Sequence, residues 1–242
     1  MNCIIVFVFV HSCIWLVVTS FVQRVNSIMF AKNDAVLVSG SYDKTVKVWD
    51  CRSRSIDAVQ SMGDAEDSVS SVVVDVPFIY SASVDGRVRC YDVRRGKLTT
   101  DTLGVPVTSL ALSHDGRCYL ASTLDSTARL FDRSNGKLLA TYTGHTNLHY
   151  VVQGGFAFDD AVVFSGSEGD GSLFAWDLVS SKMILHSTDN TNSDDGKTVA
   201  SHAKDGQTPK TLCSLSMHPK HYELVSGSHD GTASLWRGPN AE

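Results

Sequence analysis

The feature that most constrains this chain is an internal repeat that occurs five times between residues 25 and 237. Each copy places an aspartate in a short polar stretch and an aromatic residue six positions later. The pairs are Asp43 and Trp49, Asp85 and Tyr91, Asp125 and Phe131, Asp170 and Trp176, and Asp230 and Trp236. Successive aspartates are 42, 40, 45 and 60 residues apart. Repeats of this length stack against one another to bury their faces. The pattern therefore predicts one repetitive domain over residues 23–242.

The residue pattern of each copy predicts β-strands joined by a tight hairpin turn. Between the aspartate and the aromatic residue, the third and fifth positions are always apolar or small, as in Val46 and Val48. Alternation with a period of two is typical of a strand. The run before each turn, such as AVLVSG, predicts a second strand. An aspartate suits the turn between them because its carboxylate can bond the local backbone. We expect Asp43, Asp85, Asp125 and Asp230 to bond local backbone and the strand serine.

The spacing of the copies and their residue pattern resemble those of WD repeats, which fold as four-stranded blades of a β-propeller. The resemblance implies a hydrogen-bonded structural tetrad in the fourth copy, which also carries the Gly144-His145 pair. Its members would be His145, Ser165, Asp170 and Trp176. One extra residue in the turn SGSEGDG indicates that this tetrad is distorted. A Ser-His-Asp catalytic triad is the poorer interpretation, because the aspartate recurs in every copy and no G-x-S-x-G motif occurs.

Longer phrases narrow the resemblance to one group of WD proteins. The phrases WDCRSR, VDGRVRCYDVRRGK and LDSTARLFD are similar to those of the mitogen-activated protein kinase organizer 1 family, also called WD repeat-containing protein 83. The resemblance covers residues 23–237. It implies a seven-bladed propeller that acts as a scaffold in kinase cascades and spliceosome complexes, in the cytoplasm and the nucleus. Only five repeats are present, so we expect an incomplete or open ring whose last blade is one strand short.

Composition argues against several other functions. The net charge of −5 gives no bulk attraction to nucleic acid or to anionic membrane. The six cysteines form no C-x-x-C pair, so a zinc site is not expected. We therefore expect a protein that is not an enzyme, has no cofactor or small-molecule substrate, and binds other proteins. Direct RNA binding through the basic cluster is a weaker alternative; that cluster comprises Arg87, Arg89, Arg94, Arg95 and Lys97.

Residues 1–22 form an apolar leader without any charged residue. It is long enough for a membrane anchor over residues 3–22. A signal peptide is a further alternative, although the positive segment that begins such peptides is absent. The third interpretation is an atypical start of the chain. The many β-branched residues of the leader also suit a β-strand. Membrane attachment is expected only if the leader is an anchor.

Residues 186–210 explain the longest spacing between repeats. They contain one valine and no leucine, isoleucine or aromatic residue. Such a composition predicts a mobile surface loop. The loop contains Thr208-Pro209, the only Ser/Thr-Pro pair in the chain, so Thr208 is a candidate phosphorylation site for a proline-directed kinase.

Two groups of residues are candidate partner contacts. The residue before each turn aspartate is expected to point outward on one face of the propeller; these are Tyr42, Val84, Leu124 and His229. Two successive repeats also end in Asp-x-Arg, as Asp50-Cys51-Arg52 and Asp92-Val93-Arg94. This doubled box resembles the adaptor-docking motif of substrate receptors in cullin-RING ubiquitin ligases. A ligase receptor is therefore the alternative to a signalling or splicing scaffold.

Overall fold

The computed structural model describes residues 6–10, 14–18, 23–32, 35–53, 57–188, 196–197 and 210–237. All regular elements in these ranges are β-strands, which form one two-stranded and five four-stranded antiparallel sheets. The prediction of an all-β fold with WD-repeat blades is confirmed. Within the same ranges, no helix has the length and apolar character needed to span a membrane. The chain divides into two compact units, Met1–Val107 and Thr108–Glu242.

The first unit holds the leader strands and two blades. Strands β1 (Val6–Val10) and β2 (Ile14–Val18) pair antiparallel, so these leader residues adopt the strand alternative. Blade 1 consists of β3 (Val25–Phe30), β4 (Val36–Ser41), β5 (Val46–Asp50) and β6 (Gln60–Met62). Blade 2 consists of β7 (Val69–Asp75), β8 (Phe78–Ser83), β9 (Arg87–Asp92) and β10 (Lys97–Thr102). In both blades each strand pairs with the next along the chain.

The second unit holds three blades. Blade 3 consists of β11 (Val107–Leu112), β12 (Cys118–Thr123), β13 (Thr127–Asp132) and β14 (Leu138–Thr143). Blade 4 consists of β15 (Gly154–Phe156), β16 (Val162–Gly166), β17 (Ser172–Asp177) and β18 (Met183–Thr188). Blade 5 combines β19 (Gly196–Lys197) with β20 (Leu212–Met217), β21 (Glu223–Ser228) and β22 (Ala233–Arg237).

The outer strand of blade 5 corrects two expectations. Strand β19 comes from the segment predicted to be a loop, and it pairs with Leu235 and Trp236 of β22. The last blade is therefore not one strand short, since a segment that precedes its other strands in sequence occupies the fourth position. Strand β18 also extends into the predicted loop as far as Thr188, and Lys210 bridges Asp170. Residues 189–195 and 198–209, which include Thr208, lie outside the described residues.

The blades bury their faces against one another within each unit. In the first unit, Val38 and Val46 of blade 1 belong to one core cluster with Val69 and Val72 of blade 2. In the second unit, Leu212 of blade 5 shares a cluster with Phe164 of blade 4. Burying such side chains stabilises a fold by about 1.5–3 kcal/mol each. Stacking therefore supplies the core that a single sheet cannot form.

Candidate functional site

The hairpin turns between the second and third strands of the blades share one geometry. The residue after each turn aspartate has a positive φ; these residues are Lys44, Gly86, Ser126, Gly171 and Gly231. Each carboxylate accepts a bond from the residue two positions on, as Asp43 Oδ1 does from the amide of Thr45 at 3.0 Å. The equivalent donors are Arg87, Thr127, Ser172 and Thr232. These bonds fix the position of the residue before each aspartate.

In the first unit, both candidate contact residues are exposed. Tyr42 is 52% exposed and Val84 is 39% exposed. The amide of Tyr42 donates to the carbonyl of Arg24 at 2.8 Å, and the Arg24 guanidinium lies 5.9 Å from the Tyr42 ring centre. Tyr42 is thus a held aromatic side chain with a cation beside it, which suits contact with another protein.

In the second unit, Leu124 is half-buried and His229 is exposed. The His229 ring lies 5.0 Å from the ring of Tyr150, which belongs to the connection between blades 3 and 4. Blade 4 differs from the others, because the pair Glu168-Gly169 replaces the single residue before its turn aspartate.

Two turn aspartates bind an arginine in addition to their partners within the turn. Asp85 Oδ2 accepts a bond from Arg89 at 2.6 Å, and the two side chains are only 5% and 2% exposed. Burial opposes ionisation of Asp85, but Arg89 and the amides of Glu66 and Arg87 outweigh it and hold the pKa below its usual value. Asp125 binds Arg129 in the same way at 2.5 Å.

This pairing corrects the proposed RNA-binding cluster. Arg89 is buried against Asp85 and cannot reach a phosphate, and Arg87 binds Glu66. The cluster therefore does not form a continuous basic surface. Two of its five members serve to hold the turn of blade 2.

The tetrad expected in blade 4 is not joined by hydrogen bonds as its resemblance implied. In blade 1 the indole of Trp49 donates to Ser39 Oγ at 2.8 Å, and in blade 5 Trp236 donates to Ser226 in the same way. Trp176 instead donates to the carbonyl of Thr143 at 3.1 Å. The Ser165 hydroxyl bonds the carbonyl of its neighbour, and Asp170 accepts from the amide and the hydroxyl of Ser172. Ser165, Asp170 and Trp176 thus each bond a partner outside the tetrad.

His145 is buried in that blade, where its ring packs against Trp176 and forms no hydrogen bond with the described residues. It is 2% exposed, lies 5.4 Å from Trp176 edge-on, and neither ring nitrogen has a hydrogen-bond partner among the described residues. Burial lowers the pKa of His145 to about 4, so the ring is neutral. A neutral imidazole that bonds neither serine nor aspartate cannot act in a catalytic relay.

The longer turn of blade 4 also brings Glu168 into contact with the loop that precedes this blade, which we did not predict from the sequence. Glu168 Oε1 accepts hydrogen bonds from the amides of Leu148, His149 and Tyr150, at 2.8, 2.7 and 2.6 Å. We call residues 146–151 the Glu168 loop. The only sign of this contact in the sequence is that the turn SGSEGDG has one residue more before its aspartate than the equivalent turns.

The Asp-x-Arg boxes lie at the ends of β5 and β9 in the first unit. Asp50 Oδ1 accepts both the amide and the Nε of Arg52, at 3.0 and 3.3 Å. Asp92 Oδ1 accepts the amides of Arg94 and Arg95. Each aspartate thus closes a turn within its own blade. In the part of the chain that the structure describes, no group of three or more metal-ligating side chains is assembled.

Comparison with known families agrees with the blade geometry. The family described as "WD domain, G-beta repeat" matches residues 11–50, 96–132, 136–177 and 197–237, which is more than half of the chain. The chain belongs to the WD-repeat family. Blade 2, most of which lies between the first two matched segments, is a further repeat that the structure adds.

Several relatives of this WD-repeat chain carry the name WD repeat domain-containing protein 83. It is 47% identical over 135 residues to WD repeat domain-containing protein 83 of Rattus norvegicus, covering 56% of this chain and 42% of that protein. It is 38% identical over 192 residues to the Xenopus tropicalis protein, covering 79% and 55%. The homolog from Dictyostelium discoideum is 28% identical over 242 residues, covering 88% and 69%. The first of these matches spans about two fifths of the relative's length.

Proposed function

We propose that this chain is a non-catalytic protein-interaction scaffold that organises kinase-cascade complexes, pre-mRNA splicing complexes, or both. The observation that carries the proposal is the outward placement of the residue before the turn aspartate. Tyr42 and Val84 in the first unit are exposed apolar side chains held by rigid turns. Such side chains supply much of the binding energy at protein interfaces.

The chemistry of the conspicuous polar groups also supports a scaffold. The buried imidazole of His145 bonds no nucleophile, and the turn carboxylates are occupied by backbone amides and by arginines. These groups stabilise blades. The kinase and splicing partners come from the resemblance of the sequence, and they would place the scaffold in the cytoplasm and the nucleus.

The test uses defined partners and surface variants. The immobilised chain is offered purified kinases of a mitogen-activated cascade and, separately, purified spliceosomal proteins. Capture of either group is expected to fall about tenfold in the double variant Tyr42→Ala with Val84→Ala, which removes both exposed side chains of the first unit. Val59→Ala, at another exposed valine (70% exposed) of the first unit, is the control and keeps full capture. Capture of neither group by the unaltered chain contradicts the proposal.

A further inference from the structure

The Glu168 loop is held by a network of hydrogen bonds to the turn of blade 4. Besides the three amides on Glu168 Oε1, the amide of Glu168 donates to the carbonyl of Thr146 at 2.8 Å. The amide of Thr146 in turn donates to Ser167 Oγ at 3.2 Å. The turn of blade 4 and the loop thus bind each other through reciprocal bonds.

Blade 3 fixes the other side of the loop. Asn147 is fully buried, and its side-chain amide donates to the carbonyl of Thr123 and to Thr108 Oγ1, at 3.1 and 3.3 Å. Its backbone exchanges two hydrogen bonds with Ser126. The loop is therefore ordered from both sides before any partner arrives, which lowers the entropic cost of binding.

This order displays apolar side chains to solvent. Leu148 is 50% exposed, Tyr150 is 38% exposed and Val151 is 53% exposed. Three large apolar residues within four positions of a polar connection form a compact patch, extended by the ring of His229 against Tyr150. A rigid patch of this kind is typical of a protein-docking site.

The charges around the patch are mainly negative. Asp170 and Asp230 lie in the two adjoining turns, where Lys210 is the nearby cation among the described residues. The Glu168 carboxylate is buried against the loop amides and His149, so it adds little to this surface charge. Asp125, in the turn of blade 3, is neutralised by Arg129. An excess of negative charge favours an approaching segment that carries lysine or arginine.

We propose that the Glu168 loop docks a segment of a partner protein in which one large apolar residue is flanked by lysine or arginine. This inference rests on the proposed scaffold function and names the chemistry of the partner. Leu148, Tyr150 and Val151 contact the apolar residue, and the carboxylates of Asp170 and Asp230 select the basic ones. Glu168 is a positioning residue, since it contacts the loop and not the partner.

The experiment selects a random-peptide phage library on the folded, full chain. Enriched peptides are expected to share an apolar residue flanked by lysine or arginine, and their affinity is expected to fall as salt rises. A selected peptide is then synthesised and its affinity measured by fluorescence polarisation. The variant Leu148→Ser with Val151→Ser is expected to weaken binding about tenfold or more. Val179→Ser, at a valine of the same unit that is 90% exposed, is the matched control and leaves affinity unchanged.

A second pair of variants tests the role of Glu168. Glu168→Ala is expected to speed hydrogen exchange at the amides of Leu148, His149 and Tyr150 and to weaken binding of the peptide. Glu168→Gln keeps an acceptor oxygen, so it is expected to retain part of the protection from exchange and part of the affinity. Loss of binding with unchanged exchange would contradict the positioning role.

Several outcomes overturn the inference. One is enrichment of acidic peptides, and another is equal binding by the Leu148→Ser, Val151→Ser variant. Self-association of the chain that this variant abolishes would assign the patch to a second copy. If the defined partners are still captured through Tyr42 in these cases, only this inference fails. If they are not captured either, the proposed function fails as well.

Discussion

At the scale of the residue, one aspartate position performs different tasks in different blades. Asp43 and Asp230 bond the amide and the hydroxyl of a threonine two positions on. Asp85 also neutralises the buried guanidinium of Arg89. Breaking a buried ion pair costs more than losing neutral bonds, because it leaves a charge without its partner.

The first prediction compares these aspartates. Asp85→Ala is expected to lower the free energy of unfolding by about 3–5 kcal/mol, and Asp43→Ala by about 1–3 kcal/mol. Chemical denaturation followed by circular dichroism measures both. Adding Arg89→Met to Asp85→Ala is expected to recover part of the loss. Equal costs for the two single variants would contradict the buried-pair interpretation.

The second prediction concerns backbone strain in the turn of blade 1. Lys44 adopts a φ of 70°, a conformation that favours glycine, whereas Gly86 and Gly231 occupy the equivalent turns. Lys44→Gly is expected to raise the free energy of unfolding by up to about 1 kcal/mol. Lys44→Ala keeps the strain and serves as the control. A stability gain in the alanine variant would point to charge as the cause.

The third prediction is a pH dependence that arises from His145. Burial sets its folded pKa near 4, while the unperturbed value is 6.5. The unfolded chain therefore takes up a proton first, so stability is lost as the pH falls from about 6.5 towards 4. The loss at this one group amounts to roughly 3 kcal/mol.

Comparison with a variant isolates that effect. Carboxyl groups whose pKa is lowered, such as Asp85 and Glu168, reduce stability only at more acidic pH. In His145→Phe the slope of stability against pH between 6 and 5 is expected to flatten. An unchanged slope would show that His145 does not control this range.

At the scale of the element, period-two alternation and turn residues were enough to predict the second and third strands of each blade. The outer strand of blade 5 could not be predicted, because Gly196–Lys197 has no apolar alternation and is defined only by its pairing with β22. The added turn residue predicted a distorted tetrad in blade 4. It did not predict that Ser165 bonds the carbonyl of Gly166 or that His145 lacks a hydrogen-bond partner among the described residues, because no linear spacing encodes these contacts. The Glu168 contact was missed for the same reason.

The fourth prediction tests the packing of neighbouring blades. Gly166 and Gly227 occupy equivalent strand positions, in β16 and β21. A Cβ on Gly166 would overlap the carbonyl oxygen of Leu212, whereas a Cβ on Gly227 meets only Ser214 Cβ at 3.8 Å. Gly166→Ala is therefore expected to cost about 1–3 kcal/mol, and Gly227→Ala much less. Melting temperatures of the two variants give the comparison, and similar values would refute tight packing of blades 4 and 5.

At the scale of the whole molecule, the repeat predicted the fold class, and the phrases between the aspartates and the strand ends predicted the group of relatives. Function follows less directly, because many WD-repeat chains share one architecture and differ in surface residues. The exposed Leu148 and Val151 could not be identified from the sequence, where they resemble ordinary core residues. Only their position on the Glu168 loop shows that they face solvent.

The last prediction decides between a scaffold and a ligase receptor. Arg52 is 76% exposed, yet its Nε lies 3.3 Å from Asp50 in its own blade. Arg94 and Arg95 follow β9, the third strand of blade 2, and both are exposed. For a scaffold, Arg52→Ala with Arg94→Ala is expected to leave kinase or splicing partners bound as before. A purified cullin-RING adaptor is expected not to bind the unaltered chain. Adaptor binding that the double variant abolishes, while the control Arg95→Ala retains it, would instead make the doubled Asp-x-Arg box a docking site and the chain a substrate receptor.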